Sequence, residues 1–229
     1  MIALLQNPPP MPEPASPMMW LLILAALGFL PFLCMLGTCF AKIAIVGALV
    51  RQALGTQQIP PNSVITGLAL VLTLHVMAPV ATKAYADMQD PTTGEVDPSR
   101  AVPAVVGALR EFTARHTLQA DRDLIVELQK QQPVYGPPPP PGPFEQVMAF
   151  VTVDAPAFAL TELTAAFQIG FLLFVPFLVV DLVVGNILLA MGMHMLSPII
   201  VSLPVKLMLF VLVDGWRLIV AGLARSYLD

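Results

Sequence analysis

Charged side chains are scarce in this sequence. Of its 229 residues only 11% are Asp, Glu, Lys or Arg, whereas 57% are hydrophobic. Soluble domains carry about 25% charged residues, so a water-soluble globular protein is excluded and an integral membrane protein is predicted. The 11 basic residues are outnumbered by 15 acidic ones, which leaves no basic face for nucleic acid.

Cysteines and catalytic motifs are equally sparse. Cys34 and Cys39 are the two cysteines, five residues apart in one apolar run. On a helix they would lie on different faces, about 7.5 Å apart along the axis, which is a poor separation for a disulfide. We interpret them as buried apolar side chains, since further metal ligands are missing. The sequence also lacks an HExxH motif, a phosphate-binding loop and a nucleophile turn, so neither an enzyme nor a cofactor is predicted.

Long apolar runs are what the sequence has instead, and they predict an all-α membrane protein. Four hydrophobic helical segments are expected, kinked at internal prolines, with the last two forming a hairpin and a helical hydrophilic insert between the second and third. The predicted regions are a proline-rich tail (1–17), a first hydrophobic helical pair (18–83), the insert with its polyproline linker (84–143), and a C-terminal hydrophobic hairpin (144–229).

Local signals refine these boundaries. Asn62 is expected to cap the second apolar helix, and Pro79 and Lys83 to mark its exit. Within the insert, residues 103–130 are predicted to be helical, with a break at the HTLQAD sequence. Asp154 and Pro156 form a helix-start signal. The proline run of 136–142 is expected to be an extended spacer.

The distribution of basic residues predicts the orientation in the membrane. Lys42 and Arg51 flank the short loop 52–61, which favours a cytoplasmic position for that loop and a periplasmic one for the insert. Arg217 and Arg225 favour the opposite arrangement more weakly. The tail lacks the basic residues of a secretory signal, so the first segment is expected to be retained.

Two charges inside the last apolar runs are candidate functional residues. Asp181 and Lys206 each cost about 2.5–3.5 kcal/mol at the centre of a membrane helix, so they are expected to face protein or water. If the chain reverses near Ser197 in a simple hairpin, their depths differ by roughly 7 Å. A buried pair that fixes helix register and a proton-coupling carboxylate are the two interpretations. His75 is expected to bond a backbone carbonyl.

Three methionines in the sequence AMGMHMLSP (190–198) form the second candidate site. Met191, Met193 and Met195 are spaced by two, so they cannot share one helix face. Either the backbone is irregular there or the side chains point in several directions. Taken alone, the pattern favours ordinary core filling, for which methionine is well suited.

Several segments together resemble the SctR/YscR/FliP family of type III export-gate proteins, found in injectisomes and flagella. The matching segments are RQALGTQQIPPNSVITGLALVLTLHVMAP (51–79), AFALTELTAAFQIGF (157–171), DLVV (181–184), AMGMHMLSP (190–198) and SLPVKLMLFVLVDGW (202–216). The resemblance implies a core export subunit of the bacterial inner membrane. Several copies would assemble with two other small membrane subunits, one SctS/FliQ-like and one SctT/FliR-like, into a gate for unfolded polypeptides.

The same resemblance changes the interpretation of the methionines. In the family, a methionine-rich loop lines the constriction of the export channel, and the match falls on Met191, Met193 and Met195. We therefore expect these residues to form the gate. Because flagellar members typically carry a cleavable signal, the N-terminus favours an injectisome.

A proton-coupled small-molecule transporter is the alternative function. It would use Asp181, Glu162 and His75 as a proton relay. The sequence contains no internal inverted repeat of the kind on which many transporters are built.

Overall fold

The computed structural model describes Gly28 and residues 35–56, 59–91, 94–131, 133 and 142–228. The proline-rich tail, the first apolar segment up to residue 34 and nearly all of the polyproline run lie outside the described residues. All elements named below belong to one compact unit, 35–229.

The described chain is mainly helical, which confirms the predicted fold class. No β-strand occurs in the ranges given above, where Gln89 and Val96 form an isolated bridge. A π-helical turn, Phe150–Asp154, joins the helices Pro143–Ala149 and Ala155–Ala190 without interruption. The helices are α1 Phe40–Ala53, α2 Asn62–Met88, α3 Ala101–His116, α4 Gln119–Lys130, α5 Pro143–Ala149, α6 Ala155–Ala190, α7 Pro198–Leu212 and α8 Gly215–Arg225.

Two of these helices are long and apolar enough to cross a membrane. They are α2 and the continuous helix Phe144–Ala190, and α7 with α8 makes a third if the pair, bent by 58°, counts as one span. At 1.5 Å per residue, α1 is only about 21 Å long, which is shorter than a span. The arrangement of four hydrophobic segments stays a prediction.

Helix α2 differs from its prediction at both ends. It begins at Asn62 with Pro61 in the capping position, so Asn62 is not the cap, and its side-chain oxygen instead accepts a hydrogen bond from Arg51. The helix also continues through Pro79 to Met88. Its polar last turns are held by the insert, because Lys83 forms an ion pair with Glu111 of α3.

The predicted helix start at Asp154 is wrong, because the helix passes through this position. The π-turn carries one extra residue, and it accommodates Pro156, which lacks the N–H that a regular helix would use. Asp154 is buried there and binds two arginines of the insert. Its carboxylate lies 2.7 Å from Arg110 Nε and 3.0 Å from Arg122 Nη2.

The predicted break within the insert is confirmed. Helix α3 ends at His116 and α4 begins at Gln119. The connection is tied to α6, since the Leu118 N–H donates to Thr161 Oγ1 at 3.2 Å and the Thr161 hydroxyl donates to Asp121 at 2.5 Å. The insert therefore packs on the beginning of the longest helix.

Helix α6, about 54 Å long at 1.5 Å per residue, has two ends that organise the molecule. Near its beginning, Glu162 contacts α1 and the C-terminal Tyr227, and we call this region the insert end. Near its other end, Asp181 contacts α7, and we call this region the loop end. Between them α1 packs closely on α6 at Gly170, where an added Cβ would lie 2.3 Å from Leu49 Cδ1.

Candidate functional site

A carboxylate, an amine and a hydroxyl meet at the loop end. Lys206 Nζ lies 2.6 Å from Asp181 Oδ2, and the Ser202 hydroxyl donates to Asp181 Oδ1. Lys206 is 2% exposed, and its Nζ also donates to the carbonyl oxygen of Ala53 at 3.5 Å. One carboxylate of α6 thus holds two residues of α7, and the lysine extends the connection to the end of α1.

The expected difference in depth between Asp181 and Lys206 is absent. Helix α6 ends at Ala190, nine residues after Asp181, and α7 begins at Pro198, eight residues before Lys206. The intervening residues 191–197 are not helical, so they do not add to the rise on one side only. The two side chains therefore come to nearly the same depth within one chain.

This contact links α6 to α7. Removing one partner of a buried ion pair leaves an uncompensated charge, which costs about 3–5 kcal/mol. Ser202 is fully buried and also donates to the Ile199 carbonyl at 3.1 Å. Because its hydroxyl points to these acceptors, it is a structural hydrogen-bond donor in this arrangement.

The three methionines lie in the irregular loop 191–197 between α6 and α7, which we call the methionine loop. Met191, Met193 and Met195 are 61%, 41% and 99% exposed. Gly192 has φ +73°, a left-handed conformation that glycine adopts at low cost. The loop begins with a compact turn, in which the Met193 N–H donates to the Leu188 carbonyl at 2.9 Å.

The first turn of α7, which we call the base of the methionine loop, contacts the chain that follows α1. Gly55 has φ +79°, and a Cβ added there would lie 3.6 Å from Ile199 Cγ2 and 3.8 Å from Lys206 Nζ. Residue patterns could not predict this connection, because Lys206 reaches a backbone carbonyl, that of Ala53 at the end of α1. The loop end therefore joins α1, α6 and α7 through one buried lysine.

A second buried charge cluster occupies the insert end, and sequence reasoning missed it. Lys42 Nζ lies 3.5 Å from Glu162 Oε1 and 4.4 Å from the centroid of the Tyr227 ring. The Tyr227 hydroxyl donates to Glu162. All three residues are buried. The available signal was that Lys42 and Glu162 are both charges placed within or beside apolar runs.

The residues of the alternative proton relay do not come together. Glu162 and Asp181 are 19 residues apart on α6, or about 28 Å along its axis. His75 is exposed on α2. His75 is predicted to form a hydrogen bond with a backbone carbonyl. Within the described part of the chain its ring forms no such hydrogen bond, so the prediction is wrong there.

Comparison of the sequence with known proteins identifies its family. The sequence profile described as the FliP family matches residues 23–223. The chain belongs to the FliP family. Its relatives are export components of type III secretion and of flagellar biosynthesis.

Three relatives illustrate the similarity. The flagellar biosynthetic protein FliP of Pectobacterium carotovorum subsp. carotovorum is 42% identical over 208 residues, which cover 90% of this chain and 77% of the relative. Yop proteins translocation protein R of Yersinia pestis is 41% identical over 210 residues, or 90% and 94% of the two chains. Harpin secretion protein HrcR of Erwinia amylovora is 38% identical over 219 residues, or 94% and 99%. These near-equal identities do not separate a flagellar from an injectisome member.

Proposed function

We propose that this chain is a core subunit of the type III export gate in the bacterial inner membrane. Several copies assemble with one SctS/FliQ-like and one SctT/FliR-like membrane subunit around a channel for unfolded polypeptides. The methionine loops of the copies meet at the constriction of that channel. Asp181 and Lys206 set the register of the two helices that carry each loop.

The observation that carries this proposal is the exposure of the methionine loop on a fixed base. Met195 is 99% exposed, so core filling does not account for it within one chain. At the same time, the helices on both sides of the loop are linked by Lys206 and Asp181. A flexible thioether on a rigid support can close around chains of varied sequence and yield to them.

Arg51, directly before the loop 52–61, supports the proposed orientation. That loop contacts the base of the methionine loop through Gly55 and Ile199, so both belong to the loop end. Lys42 does not flank this loop in the structure, because it is buried at the insert end beside Glu162. With Arg51 favouring the cytoplasm, the loop end faces the cytoplasmic side and the insert faces the periplasm. Tyr227 packs beside Phe112 of the insert, with ring centroids 6.0 Å apart, so in the proposed orientation the described C-terminal residues also lie on the periplasmic side.

Single cysteines test both parts of the proposal. In a background with Cys34 and Cys39 replaced by serine, Met195→Cys is expected to form a disulfide-linked dimer of this chain on mild oxidation. Ala120→Cys, on the exposed surface of α4, is the matched variant and is expected to stay monomeric.

Ala120→Cys is also expected to react with a membrane-impermeant thiol reagent added from the periplasmic side, whereas Met195→Cys is protected. Equal cross-linking of the two variants contradicts the gate, and reversed labelling contradicts the orientation.

A further inference from the structure

An apolar cleft opens at the loop end, beside the site described above. Its volume is about 660 Å³, within the range of about 300–1,000 Å³ typical of small-molecule sites. Helix α2 forms one wall, and α7 with the start of α8 forms the other. Residues that line it include Leu54, Val64, Leu68, Leu203, Leu207 and Trp216. This composition suits a hydrocarbon chain.

A positively charged residue, Arg51, lies close to the residues that line this cleft. Thr56 lines the cleft, and its hydroxyl donates to the Arg51 carbonyl at 3.2 Å. The Arg51 guanidinium donates to Asn62 in the first turn of α2, two residues before the lining residue Val64. Within the described ranges Arg51 forms no ion pair with a carboxylate, so its charge is uncompensated there.

The start of α2 adds to this positive region. The first N–H groups of a helix lack intrahelical acceptors, and the helix dipole places partial positive charge at that end. Because helix α2 is 27 residues long, the partial positive charge at its N-terminus is that of a long helix. Arg51 and the first turn of α2 together form a rim that is complementary to an anionic group.

We propose that the cleft binds one acyl chain of an anionic phospholipid, with the phosphate held by Arg51 at the start of α2. Burial of an acyl chain is favourable by about 0.8 kcal/mol per CH₂ group, and basic pockets between membrane helices bind anionic head groups. A polar small molecule would find few partners, since among the lining residues only Thr56 carries a side-chain hydroxyl. The proposal rests on the membrane placement and the orientation above, and is independent of the methionine gate.

Trp216 offers a direct probe, because it lines the cleft and is one of the two tryptophans in the sequence. In a Trp20→Phe background, the full-length chain is reconstituted into vesicles that contain brominated phosphatidylglycerol or brominated phosphatidylcholine. Quenching of Trp216 fluorescence measures the relative affinity for the two lipids. We expect a preference of about fivefold for phosphatidylglycerol, the factor that corresponds to about 1 kcal/mol per basic residue near an anionic surface.

Three variants assign the preference to this cleft. Arg51→Gln is expected to abolish the preference, so that the two lipids quench Trp216 about equally. Arg51→Lys keeps the charge and is expected to retain most of the preference. Arg217→Gln is the matched control, because Arg217 is an exposed basic residue next to Trp216 and pairs with Asp214 outside the cleft. It is expected to leave the preference unchanged. Leu68→Phe fills the cleft and is expected to reduce quenching by both lipids.

Several outcomes overturn the lipid site. Equal quenching by both lipids, unaffected by Arg51→Gln, means that Trp216 contacts the bilayer generally. Loss of quenching when the chain is assembled with its partner subunits means that protein fills the cleft. Neither result affects the cysteine cross-linking of the methionine loop, and failure of that cross-linking leaves the lipid preference unaffected, so the two proposals fail separately.

Discussion

The two ends of α6 each hold a buried lysine against a carboxylate, yet their surroundings differ. At the insert end, Glu162 is 3% exposed, and Phe112 lies between the rings of Tyr227 and Phe158, with centroid distances of 6.0 and 5.7 Å. At the loop end, the Asp181 side chain is 30% exposed and the neighbouring methionine loop is open. The charges at the insert end are enclosed within the single chain, whereas the carboxylate at the loop end is partly exposed.

From this difference we infer that the insert end stabilises the folded single chain and that the loop end contributes to assembly of the complex. The insert end buries its charges among aromatic rings of α3, α6 and the C-terminal residues, so its contacts stabilise the isolated chain. The loop end leaves a partly exposed carboxylate and an exposed loop, which have to be covered by other subunits or line an aqueous path. We therefore expect substitutions at the insert end to affect the single chain, and those at the loop end to affect the complex.

The largest effect on the single chain is expected from Glu162→Ala. The substitution leaves the Lys42 ammonium buried without its carboxylate, which costs about 3–5 kcal/mol. Thermal unfolding of the purified chain in detergent, followed by circular dichroism, should show a large drop in midpoint. Arg217→Ala is the control, because it removes an exposed ion pair with Asp214 that contributes little. Equal effects of the two variants would mean that the insert end is not the stable part of the molecule.

The next effect concerns Asp181 and Lys206, and it is expected to fall on assembly. Asp181→Ala leaves Lys206 unpaired, so the yield of assembled complex and secretion should both fall, while the isolated chain loses less stability than with Glu162→Ala. The exchange Asp181→Lys with Lys206→Asp should restore part of the assembly, because the pair is re-formed in reverse. If Asp181→Asn assembles normally and secretes nothing, the carboxylate acts in proton coupling instead.

The smallest effect on the single chain is expected from Tyr227→Phe. The ring remains over Lys42 and beside Phe112, and only the hydroxyl that donates to Glu162 is lost. Loss of one hydrogen bond to a buried charged group costs about 1–3 kcal/mol. The same unfolding measurement should therefore place Tyr227→Phe between the wild type and Glu162→Ala. A drop as large as that of Glu162→Ala would show that the hydroxyl, not the ion pair, holds this end together.

Much of the fold followed from hydropathy and from breaks in helical periodicity. The all-helical class and the interruption of the insert at 117–118 were predicted because apolar spacing and the HTLQAD sequence are local signals. The errors occurred where tertiary contacts override local signals. Helix α2 continues to Met88 because the insert holds its polar turns through Lys83, and Asp154 lies within a helix because two distant arginines bind it.

The candidate site shows the same limit. Asp181 and Lys206 stood out because charges in apolar runs are rare, but their alignment depended on where α6 ends and on the irregular path of 191–197. The cluster of Lys42, Glu162 and Tyr227 joins residues that are far apart in sequence, and Tyr227 lies beyond the last apolar run. Spacing within one segment cannot predict such a contact.

The central claim is that the methionine loop seals a channel formed by several copies, and replacing all three methionines by alanine tests it most directly. Replacing a large buried side chain with alanine lowers the free energy of unfolding by about 2–5 kcal/mol. Met191, Met193 and Met195 are exposed in the single chain, so this cost is not expected for them. The account predicts a normal yield of complex after mild detergent extraction, together with raised ion conductance in a planar bilayer. A low yield of complex, with no conductance above that of the wild type from the complex that remains, would contradict it.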